Sequence, residues 1–186
     1  FKVDKITAII EDHPQHQDII KLILPDPLLP KKSIQIETAF HVKLPANFSR
    51  SGYIKNSYQI TQWYPKPAVY DKKGWHEMPY LDQGEFYSEF GNYDVKITLP
   101  AKYIVASTGI LLGENKIDSV KTLHYQQNNI HDFAWFADKD FIVKHDTLQL
   151  DSDKIDVYAY HYNSNAATWK NSINNIKEAI RTKSNW

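Results

Sequence analysis

The sequence predicts a mainly β domain, an antiparallel two-sheet, sandwich-like architecture with one helix at its C-terminal end. Apolar residues alternate with polar ones in several short runs, and this is the period of a strand that buries one face. Turn-forming Asp, Asn, Gly and Pro residues separate these runs. Helical spacing of apolar residues is confined to one late segment, which disfavours the regular strand–helix alternation of a doubly wound α/β fold.

The clearest strand pattern spans residues 34–44, where every second residue from Ile34 is apolar or Thr, and Pro45 ends the run. A second strict alternation runs from Tyr93 to Leu99 and stops at Pro100. Both patterns predict strands with one buried face. Six further segments are strand candidates, with turns expected at 113–115 and 151–153: 17–24, 103–108, 120–125, 133–136, 141–144 and 155–160.

One segment has helical spacing. Trp169, Ile173, Ile176 and Ile180 are separated by four, three and four positions, which places them on one face of a helix. This helix either covers the sheet as a lid or opens a second domain. In the second case we expect the apolar surface around Trp169, Ile173 and Ile176 to be exposed.

Residues 46–92 break the strand pattern with a long stretch that is rich in Tyr, Trp, Phe, Pro and Gly. A long irregular connection of this kind is usually functional or interfacial. Its aromatic side chains form either a platform for a ligand or partner, or a small second core. The residues alone leave both interpretations open.

Composition excludes several classes of function. The 186 residues hold 22 Lys and Arg against 22 Asp and Glu, so the basic excess that drives nucleic-acid binding is lacking. No run of 18 apolar residues exists, so we expect no transmembrane segment. The absence of Cys excludes disulfides, Cys-ligated metals and thiol catalysis. The chain opens with Phe1 rather than Met, and we expect it to be part of a longer protein.

No catalytic motif is complete. The pair His76-Glu77 invites comparison with the zinc-protease motif, but that motif requires a second His four residues after the first. Tyr80 stands at that position, and Pro79 disfavours a helix there. The acids at 82, 85 and 89 offer a carboxylate pair for acid–base chemistry, but solvated loop acids are the simpler interpretation. We therefore expect no metal ligand and no catalytic residue.

Several separate motifs resemble one known family. They are the segments 62–71 (QWYPKPAVYD), 84–91 (GEFYSEFG), 105–109 (VASTG) and 131–137 (HDFAWFA). Together they resemble the N-terminal, non-catalytic domain of M1-family zinc aminopeptidases (gluzincins), in the form typical of Bacteroidetes-like bacteria. The resemblance extends from about Leu28 to the end of the chain.

The resemblance implies a saddle-shaped β domain over residues 1–162, truncated at its start. It also implies that residues 163–186 are the first helix of a following catalytic domain, cut short. The family's zinc motif H-E-x-x-H and its exopeptidase motif G-x-M-x-N are both missing here. Zinc would therefore belong to the catalytic domain, and this chain would hold no cofactor. Export of the whole protein to the periplasm or cell surface is a further implication.

The family also implies a role at the substrate. Its N-terminal domain caps the active-site cleft and places a Gln or Glu near the free amine of the peptide. The matching segment is 58–62, which makes Gln59 and Gln62 candidate substrate-binding residues, with Trp63 and Tyr64 beside them. An amide oxygen accepts hydrogen bonds from an ammonium group and so fixes the first residue of a peptide. The expected partners are the catalytic domain and the substrate N-terminus.

Two alternatives remain open at this point. The chain is a binding module whose aromatic face, formed by Trp63, Tyr64, Trp75 and Tyr87, stacks on a glycan or a protein partner. Otherwise it is the corresponding domain of a catalytically dead relative of the family. Alone, the chain is expected to be inactive, while the parent protein is expected to be a zinc metallopeptidase.

Overall fold

A computed structural model describes residues 1–46, 49–81, 83–84, 86–151 and 153–184. It confirms the prediction of a mainly β fold with antiparallel sheets and one C-terminal helix. The elements are β1 (Lys2–Val3), β2 (Ile6–Thr7), β3 (Ile9–Asp12), β4 (Ile20–Ile23), β5 (Ile36–Glu37), β6 (Gly52–Ile54), β7 (Ser57–Ile60), β8 (Val69–Asp71), β9 (Gly74–His76), β10 (Gly91–Pro100), β11 (Ile104–Ser107), β12 (Ile110–Ile117), β13 (Val120–Ile130), β14 (Trp135–Asp138), β15 (Ile142–Leu150), β16 (Asp153–His161), a 3-10 turn (Asn163–Asn165) and α1 (Ser172–Ser184).

The chain forms two compact units. Unit 1 comprises residues 1–43, 62–92 and 128–132, and unit 2 comprises residues 44–61, 93–127 and 133–186. Unit 1 contains a three-stranded sheet in the order β2-β1-β5 and the hairpins β3–β4 and β8–β9. Its strands are two to four residues long, and only Val3 and Val69 are buried apolar residues among those described in this unit.

Unit 2 holds the longer strands and most of the core. Its sheets have the orders β11-β14-β7-β6 and β10-β13-β12, and β15 and β16 form a separate hairpin. Phe133 and Leu148 are the largest fully buried side chains of this unit in the described chain. Burial of such side chains stabilises a domain by about 1.5–3 kcal/mol each.

The hairpin of β15 and β16 is paired in register from Ile142↔His161 to Leu150↔Asp153, and α1 packs on it. Lys177 of α1 forms an ion pair with Asp146 of β15. The Nζ of Lys144 donates a hydrogen bond of 2.9 Å to the carbonyl oxygen of Trp169, just before α1. Both lysines therefore attach the helical segment to the hairpin.

The strand predicted over residues 34–44 is wrong in extent. Only β5 is extended and paired, through Ile36 to Val3 and through Glu37 to Lys2. Phe40 and Val42 are 47% and 46% exposed. Alternation shows which side chains can share a face, but a strand also needs a partner for its backbone groups, and β1 offers only two residues.

The helix begins later than the spacing predicts. α1 starts at Ser172, so Trp169 lies in the turns before it and is 42% exposed. Ile173, Ile176 and Ile180 do share the half-buried side of α1. The residues before Ser172 form a 3-10 turn and further turns, so Trp169 precedes the regular helix.

Two local expectations were also wrong. Residues 113–115 lie inside β12, and the turn between β12 and β13 falls at 118–119. Gly113 instead marks a β-bulge, where the register shifts between Leu111 and Gly113. The segment 46–92 is not wholly irregular, since it contains β6, β7 and the hairpin β8–β9.

Candidate functional site

The four candidate residues are divided between the two units. Gln59 lies on β7 in unit 2, paired with Gly52 of β6 and Phe136 of β14. Gln62, Trp63 and Tyr64 belong to unit 1. All four side chains are half-buried. Each of the two glutamines therefore has its own local environment.

Gln59 lines an open groove of about 420 Å³ within unit 2. Gln59 and Ser57 stand two positions apart on β7, so their side chains point to the same face of the strand. The groove is also lined by the β6–β7 turn, by Asp138 and Asp140, and by Tyr162. It therefore combines an amide, hydroxyl groups and two carboxylates on one surface.

Asp138 is the central charge of this groove and is only 3% exposed. The Tyr162 hydroxyl donates a 2.7 Å hydrogen bond to its Oδ2, and the Asp140 backbone N–H donates a 2.8 Å bond to its Oδ1. Burial raises the pKa of Asp138, but the bonds from Asp140, Tyr162, Ser57 and the Lys139 backbone outweigh it and hold the pKa below its ordinary value. The carboxylate is thus kept ionised by groups of the fold itself.

Tyr162 is positioned by the same network. Its hydroxyl lies 3.2 Å from the Ser57 Oγ as well as donating to Asp138. Burial is the main reason that the pKa of Tyr162 is raised, and the nearby carboxylates of Asp138 and Asp140 act in the same direction. Tyr162 therefore stays protonated and serves as a hydrogen-bond donor.

Gln62 has a φ of 51° and is one of nine non-glycine residues with a positive φ in the described part of the chain. A positive φ is uncommon for a residue with a Cβ and stores strain of about 1–3 kcal/mol. No side-chain hydrogen bond of Gln62 is found within the described part of the chain. The side-chain amide of Gln62 is therefore attached to a strained backbone position and makes no hydrogen bond to the described residues.

The residues after Gln62 form a compact cluster in unit 1. The Tyr64 hydroxyl donates a 2.8 Å hydrogen bond to Asp132 Oδ1, and Lys66 Nζ lies 2.8 Å from the same oxygen. Lys66 Nζ also stands 5.2 Å from the centre of the Tyr64 ring, within the range of a cation–π contact. The Trp63 ring packs edge-on to Tyr64 at 5.3 Å and lies 6.1 Å from Phe40.

This cluster joins two segments that are far apart in the sequence. Tyr64 and Lys66 come from the motif 62–71, and Asp132 comes from the motif 131–137. The ion pair is partly shielded from water, with both side chains mostly buried. The cluster therefore fixes the backbone immediately after Gln62.

The four residues of the predicted aromatic face lie in different surroundings. Trp63 and Tyr64 are half-buried in the cluster, whereas Trp75 and Tyr87 are exposed. The prominent exposed pair is instead Tyr70 and Trp75, cross-strand neighbours on β8 and β9, which are 66% and 65% exposed. Their ring centres are 4.9 Å apart.

Beside this pair, His76 Nε2 lies 2.9 Å from Asp71 Oδ1. The hydrogen bond from His76 and the backbone N–H of Lys73 lower the pKa of Asp71. The Tyr87 ring packs edge-on to the His76 ring at 5.6 Å. His76 is thus engaged by a carboxylate and an aromatic ring.

The described residues do not fit a zinc site. No group of three or more His, Asp or Glu side chains among them is arranged to hold a metal ion. Two of the acids considered from the sequence, at positions 82 and 85, lie outside the described residues. Within the described chain, the helix found is too short and too polar to cross a membrane.

Sequence reasoning missed Asp138, Tyr162 and Asp132 as site residues. Asp132 could have been suspected because it stands in a quoted motif next to His131. Asp138 and Tyr162 offered no signal, because the network depends on Ser57, which is 105 positions from Tyr162 in the chain. The pairing of β7 with β14 places Ser57 beside Asp138, and Tyr162 joins them from the segment after β16.

Comparison with known proteins gives one informative likeness. No family model and no curated protein matches the sequence. Among solved structures, the fold is similar to that of a two-domain M1 zinc metallopeptidase, a single-residue mutant bound to L-arginine. The TM-score is 0.56 at 13% sequence identity, over 87% of this chain.

That likeness concerns the fold alone, because the identity is low. This chain spans 37% of the length of the metallopeptidase chain it matches. The resemblance to M1 aminopeptidases noted in the sequence is thereby supported at the level of the backbone. The chain has an M1 metallopeptidase-like fold over most of its length.

Proposed function

We propose that this chain is the N-terminal, non-catalytic domain of a zinc-dependent M1 aminopeptidase from a Bacteroidetes-like bacterium. The observation that carries the proposal is the backbone likeness to an M1 zinc metallopeptidase over 87% of the chain. Four sequence motifs that resemble this family's N-terminal domain support it. Since the chain spans 37% of that metallopeptidase, the remainder of such an enzyme would contain the catalytic domain.

In this proposal the domain does not perform the bond cleavage. The described residues form no metal site, and His76-Glu77 lacks a second His at the required spacing. The catalytic domain, beginning with the helical segment 163–186, would hold the zinc ion. Residues 1–162 would cap the active-site cleft, and the whole protein would be exported to the periplasm or cell surface.

Gln62 is the stronger candidate for holding the substrate N-terminus. Strained backbone positions cluster at ligand-binding sites, because the surrounding structure must hold them. The Tyr64–Lys66–Asp132 cluster supplies this support directly after Gln62. An amide oxygen so fixed can accept a hydrogen bond from a peptide ammonium without further ordering of the chain.

Gln59 is the second candidate. It lines the groove that contains the ionised Asp138, and a carboxylate and an amide together suit a cationic group. However, the oxygens of Asp138 already accept bonds from the Tyr162 hydroxyl and the Asp140 N–H. These bonds occupy part of the hydrogen-bonding capacity of Asp138. Gln59 and Asp140 would therefore have to make most of the contacts to a cationic group.

The central experiment compares this chain with the full gene product in hydrolysis of aminoacyl-anilides. We expect activity only from the full protein, which should contain H-E-x-x-H followed by a Glu ligand. Activity of the purified 186-residue chain would contradict the assignment. A full protein without the motif and without activity would identify a catalytically dead relative instead.

The substrate role is tested by variants in the full enzyme. Gln62→Ala should raise KM for a free-amine substrate about tenfold, which corresponds to about 1.4 kcal/mol and to the loss of one hydrogen bond to a charged group. Gln62→Glu should restore binding, because a carboxylate also accepts from an ammonium group. Gln17→Ala, at an exposed turn of unit 1, is the matched control and should leave KM unchanged. An effect confined to Gln59→Ala would transfer the role to the groove.

A second candidate function rests on the exposed pair Tyr70 and Trp75. Two adjacent exposed rings of this kind stack on sugar rings or pack against a protein partner. Titration of oligosaccharides, monitored by Trp fluorescence, tests this function directly. Saturable binding that Trp75→Ala abolishes and Trp63→Phe preserves would favour the binding module over the peptidase domain.

A further inference from the structure

Strand β12 is the open edge of its sheet. In the order β10-β13-β12, only β13 pairs with it among the described strands. All eight of its residues are exposed. Ile110 and Ile117, at its two ends, are each 66% exposed. A strand exposed on both faces and along one edge presents backbone N–H and C=O groups as well as apolar side chains to its surroundings.

The usual protections of an edge strand are incomplete here. Natural edge strands are kept short, or carry Pro, bulges or charged side chains such as Lys. β12 carries one Lys, Lys116. β12 has no Pro, and its bulge is confined to the segment from Leu111 to Gly113. From Gly113↔His124 to Ile117↔Val120 the register is continuous. Residues 113–117 are thus a regular segment that can accept another strand.

Glu114 and Lys116, the two charged residues of this segment, differ in their ion pairing. Lys116 lies directly opposite Lys121 of β13, an arrangement of like charges that is unfavourable. Glu114 Oε2 lies 3.8 Å from Lys121 Nζ, and its side chain is still 43% exposed, so this long contact leaves the carboxylate accessible to a second cation. Lys116 has no ion-pair partner within the described residues. A carboxylate arriving along the free edge would therefore find an unpaired ammonium group.

We propose that β12 pairs antiparallel with β12 of a second copy of this chain, across a two-fold axis at Asn115. In an antiparallel pair centred on Asn115, Glu114 of each copy lies opposite Lys116 of the other. Each interface thus contains two opposite-charge pairs. The two sheets join into one continuous sheet of six strands, because each copy contributes three.

The same charges exclude the neighbouring registers. An axis at residue 114 places Glu114 against its own copy, and an axis at residue 116 does the same for Lys116. Like charges directly opposite each other are destabilising, whereas opposite charges are favourable. The sequence Glu-Asn-Lys at 114–116 is therefore complementary to itself in one register only. Because the segment is complementary to itself, a second copy of β12 is favoured over an unrelated strand as its partner.

Analytical ultracentrifugation of the 186-residue chain tests the proposal. With rising concentration the weight-average mass should increase from 21.7 kDa towards twice that value and no further. The association should weaken with added salt, since exposed charge pairs are screened. A mass that stays monomeric at every concentration, or that grows without limit, would overturn the proposal.

Charge variants distinguish this register from any other association. Glu114→Lys and Lys116→Glu should each weaken the dimer by about tenfold or more, because both pairs become repulsive. The double variant, which exchanges the two charges, should restore it. Lys102→Glu, in the exposed turn after β10, changes net charge equally and should have no effect. Failure of the double variant to recover association would contradict the pairing, provided that circular dichroism shows an intact fold.

A single Cys provides a second test that does not depend on charge, because the chain contains no other Cys. In the proposed register the two copies of residue 115 are direct neighbours, at about 4.5–5.5 Å between Cα atoms, which suits a disulfide. Asn115→Cys should therefore form a covalent dimer at least tenfold faster than Ile117→Cys or Lys102→Cys. Equal rates for the three variants would overturn the proposal.

Discussion

Unit 1 and unit 2 are both built from antiparallel strands, but they differ in how deeply they bury apolar residues. Unit 2 has sheets with strands of up to eleven residues and holds Phe133, Leu148 and most other buried apolar side chains of the described chain. Unit 1 has strands of two to four residues, and many of its Ile, Leu and Phe side chains are exposed. The apolar residues themselves are present in both. The difference shows that alternation of residue types alone does not decide burial. A strand must be paired and must also have a covered face, since β12 pairs with β13 along its length and is still exposed at all eight residues.

The largest difference in stability is expected between substitutions of two phenylalanines, one buried in unit 2 and one exposed in unit 1. Phe133 in unit 2 is 0% exposed, whereas Phe90 in unit 1 is 65% exposed. Phe133→Ala should lower the free energy of unfolding by about 3–5 kcal/mol through lost burial and a cavity. Phe90→Ala should change it by less than about 0.5 kcal/mol. Urea unfolding followed by circular dichroism measures both, and equal losses would remove the contrast.

A smaller effect is expected at the buried carboxylate of unit 2. Asp138→Asn should lower the free energy of unfolding at neutral pH by about 1.5–3 kcal/mol, because hydrogen bonds to a charged group are weakened. Asp140→Asn is the control, because the hydrogen bond of Asp140 to Asp138 comes from its backbone N–H and is kept in this variant. A loss of stability in Asp140→Asn as large as that in Asp138→Asn would show that the carboxylate of Asp138 stabilises the fold no more than that of Asp140.

The same variant has a predicted pH dependence. The pKa of Asp138 is lower in the folded chain than the ordinary value of 3.8. Ionisation therefore stabilises the folded state above about pH 4, and this contribution is lost as the pH falls through the folded-state pKa. Between about pH 3 and 7, the unfolding free energy of the original chain should fall more steeply on acidification than that of Asp138→Asn. Parallel curves would contradict the assignment of the shift.

Gly109 in unit 2 and Gly74 in unit 1 both have a positive φ but differ in the space around them. Gly109 in unit 2 has a φ of 88°, and an added Cβ would lie 2.9 Å from the carbonyl oxygen of Gln126. Gly74 in unit 1 has a φ of 107° and open space around it. Gly109→Ala should cost more than about 1 kcal/mol from strain and close contact, and Gly74→Ala should cost less because only the strain applies. Thermal unfolding of both variants measures the two losses of stability. Equal losses would contradict the predicted difference.

The smallest effect is expected in the cluster of unit 1. Tyr64→Phe removes the hydroxyl that donates to Asp132 but keeps the ring under Lys66. The loss should be about 0.5–1.5 kcal/mol, because Lys66 continues to pair with the carboxylate. Tyr53→Phe, on the exposed strand β6, is a control that should be nearly neutral. A larger loss at Tyr64 than at Asp138 would reverse the proposed ranking of the two polar networks.

The sequence predicted the fold best where strands are long and their partners lie close along the chain. In β10 the alternation is reproduced residue by residue, with Ile97 buried between exposed Lys96 and Thr98. The pattern at 34–44 was just as regular, but only Ile36 and Glu37 found a partner. Alternation is a local property, whereas pairing depends on residues elsewhere in the chain.

The candidate site was predictable in part for the same reason. The segment containing Gln59 and Gln62 could be selected from sequence motifs, and its contribution to substrate binding remains a proposal. The network of Asp138 and Tyr162 could not be found, because it depends on long-range strand pairing. The positive φ of Gln62 was also invisible, since Gln carries no sequence signal for that conformation.

The hairpin of β15 and β16 with α1 has a consequence for folding. These elements follow one another without interruption, so their mutual contacts join residues that are near in sequence. Contacts of this kind require little loop-closure entropy and form early. Both units are assembled from three separate stretches, and the 142–184 segment lies within one of the stretches of unit 2. We therefore expect the 142–184 segment to form early, and refolding kinetics should show it acquiring amide protection first.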